Sequence, residues 1–185
     1  MKIAALLGSP RANGNTSYLT DQALAEASKL GIETEKIVLA QYQISPCQGH
    51  DECQDFASCP QKDDTESVVQ KLYEADGVIL ASPVYFGNVT AQLKAFIDRT
   101  HFYYYHDWRM RARCAGTIVV ATGSGIEDTT KTLVRFITRR TSIAAEKIVQ
   151  VHGFARRAGQ IRDNMPVIEG ACRLGMRMAK ELLAR

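Results

Sequence analysis

Apolar runs of strand length alternate with helix-patterned segments along the whole chain, and this alternation restricts the fold more than any other feature. The runs lie at residues 2–7, 33–39, 76–82, 115–122 and 147–151. Helical patterns fall at 16–30, 63–74, 88–100, 127–141 and 166–184. Gly31 offers a C-terminal cap to the first of these, and Asp63 with Glu66 reads as a capping box opening the second. In the last, Ile168, Ala171, Cys172, Gly175, Met178, Ala179 and Leu182 form one apolar stripe. The strand runs are short and lack polar alternation, as in strands buried on both sides. Five strands alternating with helices predict a parallel sheet covered by helices on both faces. Such sheets take ligands outside the carboxyl ends of their strands, where strand order reverses. The loops after strands one, three and four are therefore the ones to inspect.

A length of 185 residues suits a single domain over 1–185, with a cysteine-containing insertion at about 40–62. A content of 45% hydrophobic and 23% charged residues fits a soluble globular chain with a sizeable core. The net charge of +3 is too small to imply nucleic acid without a concentrated basic patch. Arg109, Arg111, Arg113, Arg139, Arg140, Arg156 and Arg157 read as solvated helix ends and loops. No apolar run approaches the roughly 20 residues of a membrane span. The first eight residues are too short for a secretory signal and read as a strand, so a cytoplasmic location is expected. Cysteines there are more often free, metal-bound or redox-active than paired.

The loop after the first strand, Gly8-Ser9-Pro10-Arg11-Ala12-Asn13-Gly14-Asn15-Thr16-Ser17, is small and polar and leads into a helix. Backbone N–H groups at such a helix start carry partial positive charge and can wrap an anion. Ser9, Asn13, Asn15, Thr16 and Ser17 add side-chain donors, and Arg11 can supply a charge-assisted bond to phosphate. An ordinary turn with a helix cap would look the same. The loop has neither the G-x-G-x-x-G pattern nor a Walker loop.

After the third strand comes Ser82-Pro83-Val84-Tyr85-Phe86-Gly87-Asn88-Val89. Pro83 stiffens the exit and Gly87 permits a close turn. Tyr85 and Phe86 offer aromatic faces to a flat conjugated ring, or pack as a core-facing pair. After the fourth strand, Thr122-Gly123-Ser124-Gly125 forms a further glycine-bearing turn.

Taken together, Gly8-Ser9-Pro10-Arg11 with Gly14-Asn15-Thr16-Ser17, and residues 82–89 with Gln92-Leu93-Lys94-Ala95-Phe96-Ile97-Asp98-Arg99, resemble the flavin loops of the NADPH-dependent FMN reductase and iron–sulfur flavoprotein families. The resemblance runs over most of the chain. It implies a flavodoxin-like α/β three-layer sandwich with strand order 2-1-3-4-5. It implies FMN held by the phosphate loop (Ser9, Arg11, Asn13, Asn15, Thr16, Ser17), the ring loop (Pro83, Val84, Tyr85, Phe86, Gly87, Asn88) and the turn Thr122, Gly123, Ser124, Gly125. The activity implied is an FMN-dependent oxidoreductase taking electrons from NAD(P)H or a small electron-transfer protein, assembled as a homodimer or homotetramer. No catalytic side chain is assigned, because the flavin carries the chemistry. Two other classes stand beside it: a non-catalytic flavodoxin-like electron carrier, which the positive net charge opposes, and a regulatory protein on the same fold.

Three cysteines share one window with a histidine: Cys47, His50, Cys53 and Cys59. The spacing resembles the 4Fe–4S motif of iron–sulfur flavoproteins, in which the cluster passes electrons to flavin across a subunit interface, but His50 stands where that motif has its second cysteine. Three readings stay open: a 4Fe–4S cluster with one imidazole ligand, a Cys3His zinc site, or no metal. The loop leaves the same sheet edge as the flavin loops, about 10 Å away in the sheet plane. Cys114 and Cys172 fall on apolar patterns and read as core. The run from His101 to Trp108 suits an interface or lid, or local packing. His101, His106 and His152 have no catalytic partner in sequence.

Overall fold

A computed structural model describes residues 1–184. Five parallel strands form one sheet: β1 (Lys2–Leu7), β2 (Glu33–Val38), β3 (Gly77–Pro83), β4 (Cys114–Ala121) and β5 (Val149–Phe154). Their order is β2-β1-β3-β4-β5, the flavodoxin-like arrangement, and it reverses between β1 and β3. The helices are α1 (Asn15–Lys29), α2 (Thr65–Tyr73), α3 (Ala91–Arg99), the single-turn α4 (His101–Tyr105), α5 (Ile126–Arg140) and α6 (Met165–Leu183).

β1, β3 and β4 lack polar alternation because both faces of the sheet are covered there, while the edge strand β5 alternates, with Gln150, His152 and Phe154 exposed. Ile3, Ala5, Leu7, Ile79, Ala81, Ile118 and Val120 join one core with α1 and α6. Ala4, Leu6, Val78, Leu80, Ala115 and Val119 join another with α2, α3 and α5. Every residue of β4 is buried. Each fully buried Leu or Ile contributes about 1.5–3 kcal/mol of transfer free energy. The edge strand β2 is different: it carries Glu33, Glu35 and Lys36, and Glu35 is paired with Lys2 at 2.6 Å and with Lys71. Charge of this kind keeps an edge strand from templating another chain.

Between α1 and α6 the backbones nearly touch. A Cβ on Gly175 would sit 1.9 Å from the Ala23 carbonyl oxygen, so only glycine allows this crossing. The apolar stripe read on the last helix is this contact surface, though Cys172 on its flank is only half-buried.

Three elements depart from the sequence pattern by two residues or more at an end. The expected capping box is not formed: α2 begins at Thr65, and Asp63 turns aside to accept the Thr65 backbone N–H at 3.0 Å and its hydroxyl at 2.6 Å. The third helix starts at Ala91 rather than 88, because residues 85–88 close a tight turn first. The fifth strand runs later than 147–151, because Ala145–Lys147 is a 3-10 turn and pairing with β4 runs on to Phe154. No helix among the described residues is long and apolar enough to cross a membrane.

Candidate functional site

The carboxyl ends of β1, β3, β4 and β5 meet around a small cleft of about 90 Å³. At roughly 30 Å³ per water, that is room for a group of a few heavy atoms. Its walls include Ser9, Arg11, Asn15, Thr16, Pro83, Val84, Tyr85, Thr122, Arg156 and Arg157, with no carboxylate among the lining residues. Gly14, Asn15 and Thr16, at the start of α1, line this space, and a helix start is where backbone N–H groups are free for an anion, although the Gly14 N–H itself is donated to the Arg11 carbonyl at 3.1 Å.

The side chains of the phosphate loop divide their duties. The Ser9 hydroxyl is buried and accepts the Arg11 N–H at 3.1 Å, which folds the loop over itself. Asn15 donates to the Arg157 carbonyl at 2.8 Å and accepts the Ile161 N–H at 3.3 Å, so its amide ties down the loop after β5. The Ser17 hydroxyl donates to the Ala12 carbonyl and accepts from Lys36. Thr16 is buried under the loop, while Arg11 and Asn13 are exposed.

The ring loop is stiff. Tyr85 and Asn88 exchange backbone hydrogen bonds of 2.8 and 3.1 Å around Phe86 and Gly87, whose φ values are +49° and +78°. Two positive φ angles define a type I′ turn, a conformation that costs a bulky residue free energy. Here it holds the Phe86 ring entirely in solvent, while Tyr85 is 45% exposed. The core-facing alternative for this pair therefore does not apply. The Asn88 side chain accepts from Val89 N–H and from Thr132, so it braces the turn. Gly125 packs beneath: its φ is +84°, and a Cβ there would lie 2.7 Å from Val84 and 2.9 Å from Gly87. A Cβ on Gly87 or Gly123, by contrast, would meet nothing within 4 Å, which leaves both backbones open to a flat group.

Thr90 joins the two loops. Its hydroxyl donates to the Gly8 carbonyl at 2.5 Å and accepts the Leu93 N–H at 3.3 Å, capping α3. Gly8 N–H also donates to the Ala81 carbonyl at 2.8 Å. The loops after β1 and β3 are thus locked in one frame across the reversal point.

Beside this rim, a groove of about 1000 Å³ runs between α3, α4 and α5, with Phe86, Asn88, Cys47, Arg139 and Arg140 among its lining residues. Arg140 is not a solvated helix end. It is 7% exposed, donates to the Thr100 carbonyl at 2.8 Å, and lies over the Tyr104 and Trp108 rings at 5.4 and 5.9 Å. Arg156 and Arg157 are exposed, as expected, and line the cleft.

The cysteine loop hangs from a buried ion pair. Arg99, 2% exposed, pairs with Asp63 and donates to the Ser45 carbonyl at 3.2 Å and the Gln61 carbonyl at 2.9 Å. The Cys59 sulfur lies 3.6 Å from the same guanidinium. Burial works to raise the Asp63 carboxyl, but hydrogen bonds from Thr65, Arg99 and Ser45 outweigh it and hold it below the ordinary range. The aromatic run backs this loop: Phe102 is buried and stacks on His106, whose Nε2 lies 3.1 Å from the Cys53 carbonyl.

Cys47, His50, Cys53 and Cys59 share the loop, and as folded they do not meet at one metal-ion position. The Cys53 thiol donates to the His50 carbonyl at 3.2 Å, and burial pushes it up. His50 packs edge-on against Phe56, Cys47 is exposed, and Cys59 faces Arg99. Among the described residues no group of three or more His, Cys, Asp or Glu side chains converges on a metal position.

Its likeness to known proteins makes this chain a flavin-dependent oxidoreductase. The chain belongs to the NADPH-dependent FMN reductase family, whose model matches residues 1–153. It is 34% identical to an iron–sulfur flavoprotein of Methanocaldococcus jannaschii over 97% of this chain and 96% of that one. An iron–sulfur flavoprotein of Archaeoglobus fulgidus is 43% identical over 68% of this chain and 56% of its own length. An NAD(P)H:quinone oxidoreductase from Methanothermobacter marburgensis superposes with a TM-score of 0.73 over 96% of each chain. At 16% identity that likeness speaks to the fold alone.

Proposed function

We propose that this chain binds FMN at the carboxyl edge of its sheet and uses it to pass electrons from NAD(P)H to a small acceptor such as a quinone. The observation that carries this reading is the Thr90 bridge, which holds an anion cleft and an open ring loop in one rigid frame at the reversal point. The 5′-phosphate is assigned to the cleft, with Ser9, Arg11, Asn13 and the backbone at Thr16 around it. The isoalloxazine ring is assigned to Pro83–Asn88 and Thr122–Gly125, where Gly87 and Gly123 leave the backbone bare.

Bound FMN supplies the redox chemistry. The protein's part is to hold the ring, set its electronics through backbone N–H and C=O groups, and leave one face free. Phe86, fixed outward, walls the approach to that face, and the groove beside it has room for a second reactant. No step is routed through the cysteine loop, because its four side chains do not converge.

The test is reconstitution with FMN without oxygen, followed by steady-state turnover with NADH or NADPH and a quinone, with iron and sulfide measured on the same preparation. Yellow, turning-over protein without iron is the expected result. Stoichiometric iron and sulfide would overturn the cluster-free route, and failure to bind FMN would overturn the whole reading. FMN binding without turnover would instead favour an electron carrier.

A further inference from the structure

We propose that the β5–α6 loop is an arginine clasp on the ligand's phosphate, latched shut by Asn15, and that it makes the site select a phosphorylated flavin. This rests on the flavin reading above. The sheet order places β5 three strands from β1, yet the loop returns across the edge to the phosphate cleft. It is built to hold that position. Ala155 N–H donates to the Ala121 carbonyl at 2.9 Å as the chain leaves β5. Gln160 Oε1 accepts the N–H groups of Arg156 and Arg157 at 2.7 and 3.1 Å. Asn15 grips the loop with both ends of its amide, donating to Arg157 and accepting from Ile161.

The charge at the end of this loop has no internal use. Arg156 and Arg157 are exposed, and neither pairs with a carboxylate among the described residues. With Arg11 they are three arginines lining a cleft that has no acid in its lining. Holding three like charges together is unfavourable unless an anion joins them, and a phosphate dianion accepts bidentate guanidinium bonds. The first turn of α1 contributes no charged side chain, so the arginines and backbone N–H groups provide the positive field. Asn15 is the positioning residue: it touches the loop and sets where the guanidinium groups sit.

The experiment measures FMN and riboflavin affinity for wild type, Arg156→Met/Arg157→Met, the corresponding double Lys variant, and Asn15→Ala. FMN affinity is expected to fall about tenfold for each guanidinium removed. Riboflavin affinity should stay unchanged, so the FMN-to-riboflavin ratio collapses in the Met variant, partly recovers in the Lys variant, and falls to an intermediate value in N15A. Equal loss for both ligands, or no loss for either, would overturn the clasp. Inorganic phosphate serves as a second probe through its shift of the melting temperature. If wild type binds no flavin yet is stabilised by phosphate, and R156M/R157M abolishes that shift, the flavin reading fails while the clasp stands. If phosphate stabilises both proteins equally, the clasp fails.

Discussion

The flavin rim and the cysteine loop leave the same edge of the sheet, but they are held by different physics. The rim is woven from the sheet outward: backbone bonds from Gly8 to Ala81 and from Val84 to Val120 extend the strand ladder into the loops, and Thr90 ties them together. The cysteine loop returns to its origin through bonds between residues 43–45 and 63–64 and is anchored on one buried guanidinium. A framework with many small ties degrades gradually when one is cut. A segment suspended from one buried charge pair fails at that pair.

The largest test of this contrast is Arg99→Met, which leaves Asp63 buried without its cation. It should cost about 3–5 kcal/mol in denaturant unfolding and open the cysteine loop to proteases, with flavin affinity nearly unchanged. A rim that lost flavin in parallel would show that the two regions are one unit. The same pair carries a pH signature. Because the Asp63 carboxyl is depressed in the folded protein, its stabilisation is present above its ordinary value of 3.8 and is lost as pH falls through the lower folded value. Acid unfolding of wild type should therefore be steeper below about pH 4 than that of R99M; parallel curves would remove Asp63 from the argument.

On the rim, Gly125→Ala drives a Cβ into Val84 and Gly87 at a positive φ, with an expected cost of about 1–3 kcal/mol and weaker flavin binding. Unaltered affinity would mean that the turn after β4 does not shape the ring loop. Thr90→Val removes one cap and one cross-loop bond and should cost about 0.5–2 kcal/mol, seen as a lower melting temperature. The smallest effect is Cys47→Ser, expected within about 0.5 kcal/mol because the side chain is exposed. Thiol labelling should then lose its fastest phase, with Cys114, buried and pushed up to about 12, reacting last in either protein. A fast phase that survives would place the reactive thiol elsewhere in the loop.

The layered architecture was legible because both faces of the sheet are buried, which removes polar alternation from β1, β3 and β4 and leaves short apolar runs. The loops after β1, β3 and β4 followed from the rule that ligands sit at strand carboxyl ends. The loop after β5 follows the same rule, and Arg156 and Arg157 within it are exposed, as their sequence pattern suggests, while also lining the cleft. Arg99 and Arg140 were harder to find. Each ends a helix in a pattern typical of exposed cations, and their burial depends on partners more than 30 residues away in sequence, Asp63 for one and Thr100 for the other. The role of Asp63 was equally hidden, since its spacing to Glu66 matches a helix cap while the distant guanidinium claims its carboxylate. Asn15 stands at a helix start and lines the cleft, where a phosphate donor is expected, and nothing local reveals that the chain also returns to it from residues 157–161.

The hydrogen bond between the Thr90 hydroxyl and the Gly8 carbonyl also fixes the distance between two anchor points. A ligand long enough to touch both behaves as a chelator. Once one end is seated, the other meets its site at an effective concentration set by geometry rather than by bulk solution. Fragments carrying only the sugar-phosphate or only the ring should then each bind far more weakly than the intact molecule, and the intact association constant divided by the product of theirs is that effective concentration. Its size reports how rigidly the frame, with the Thr90 bond as one of its ties, holds the two loops apart.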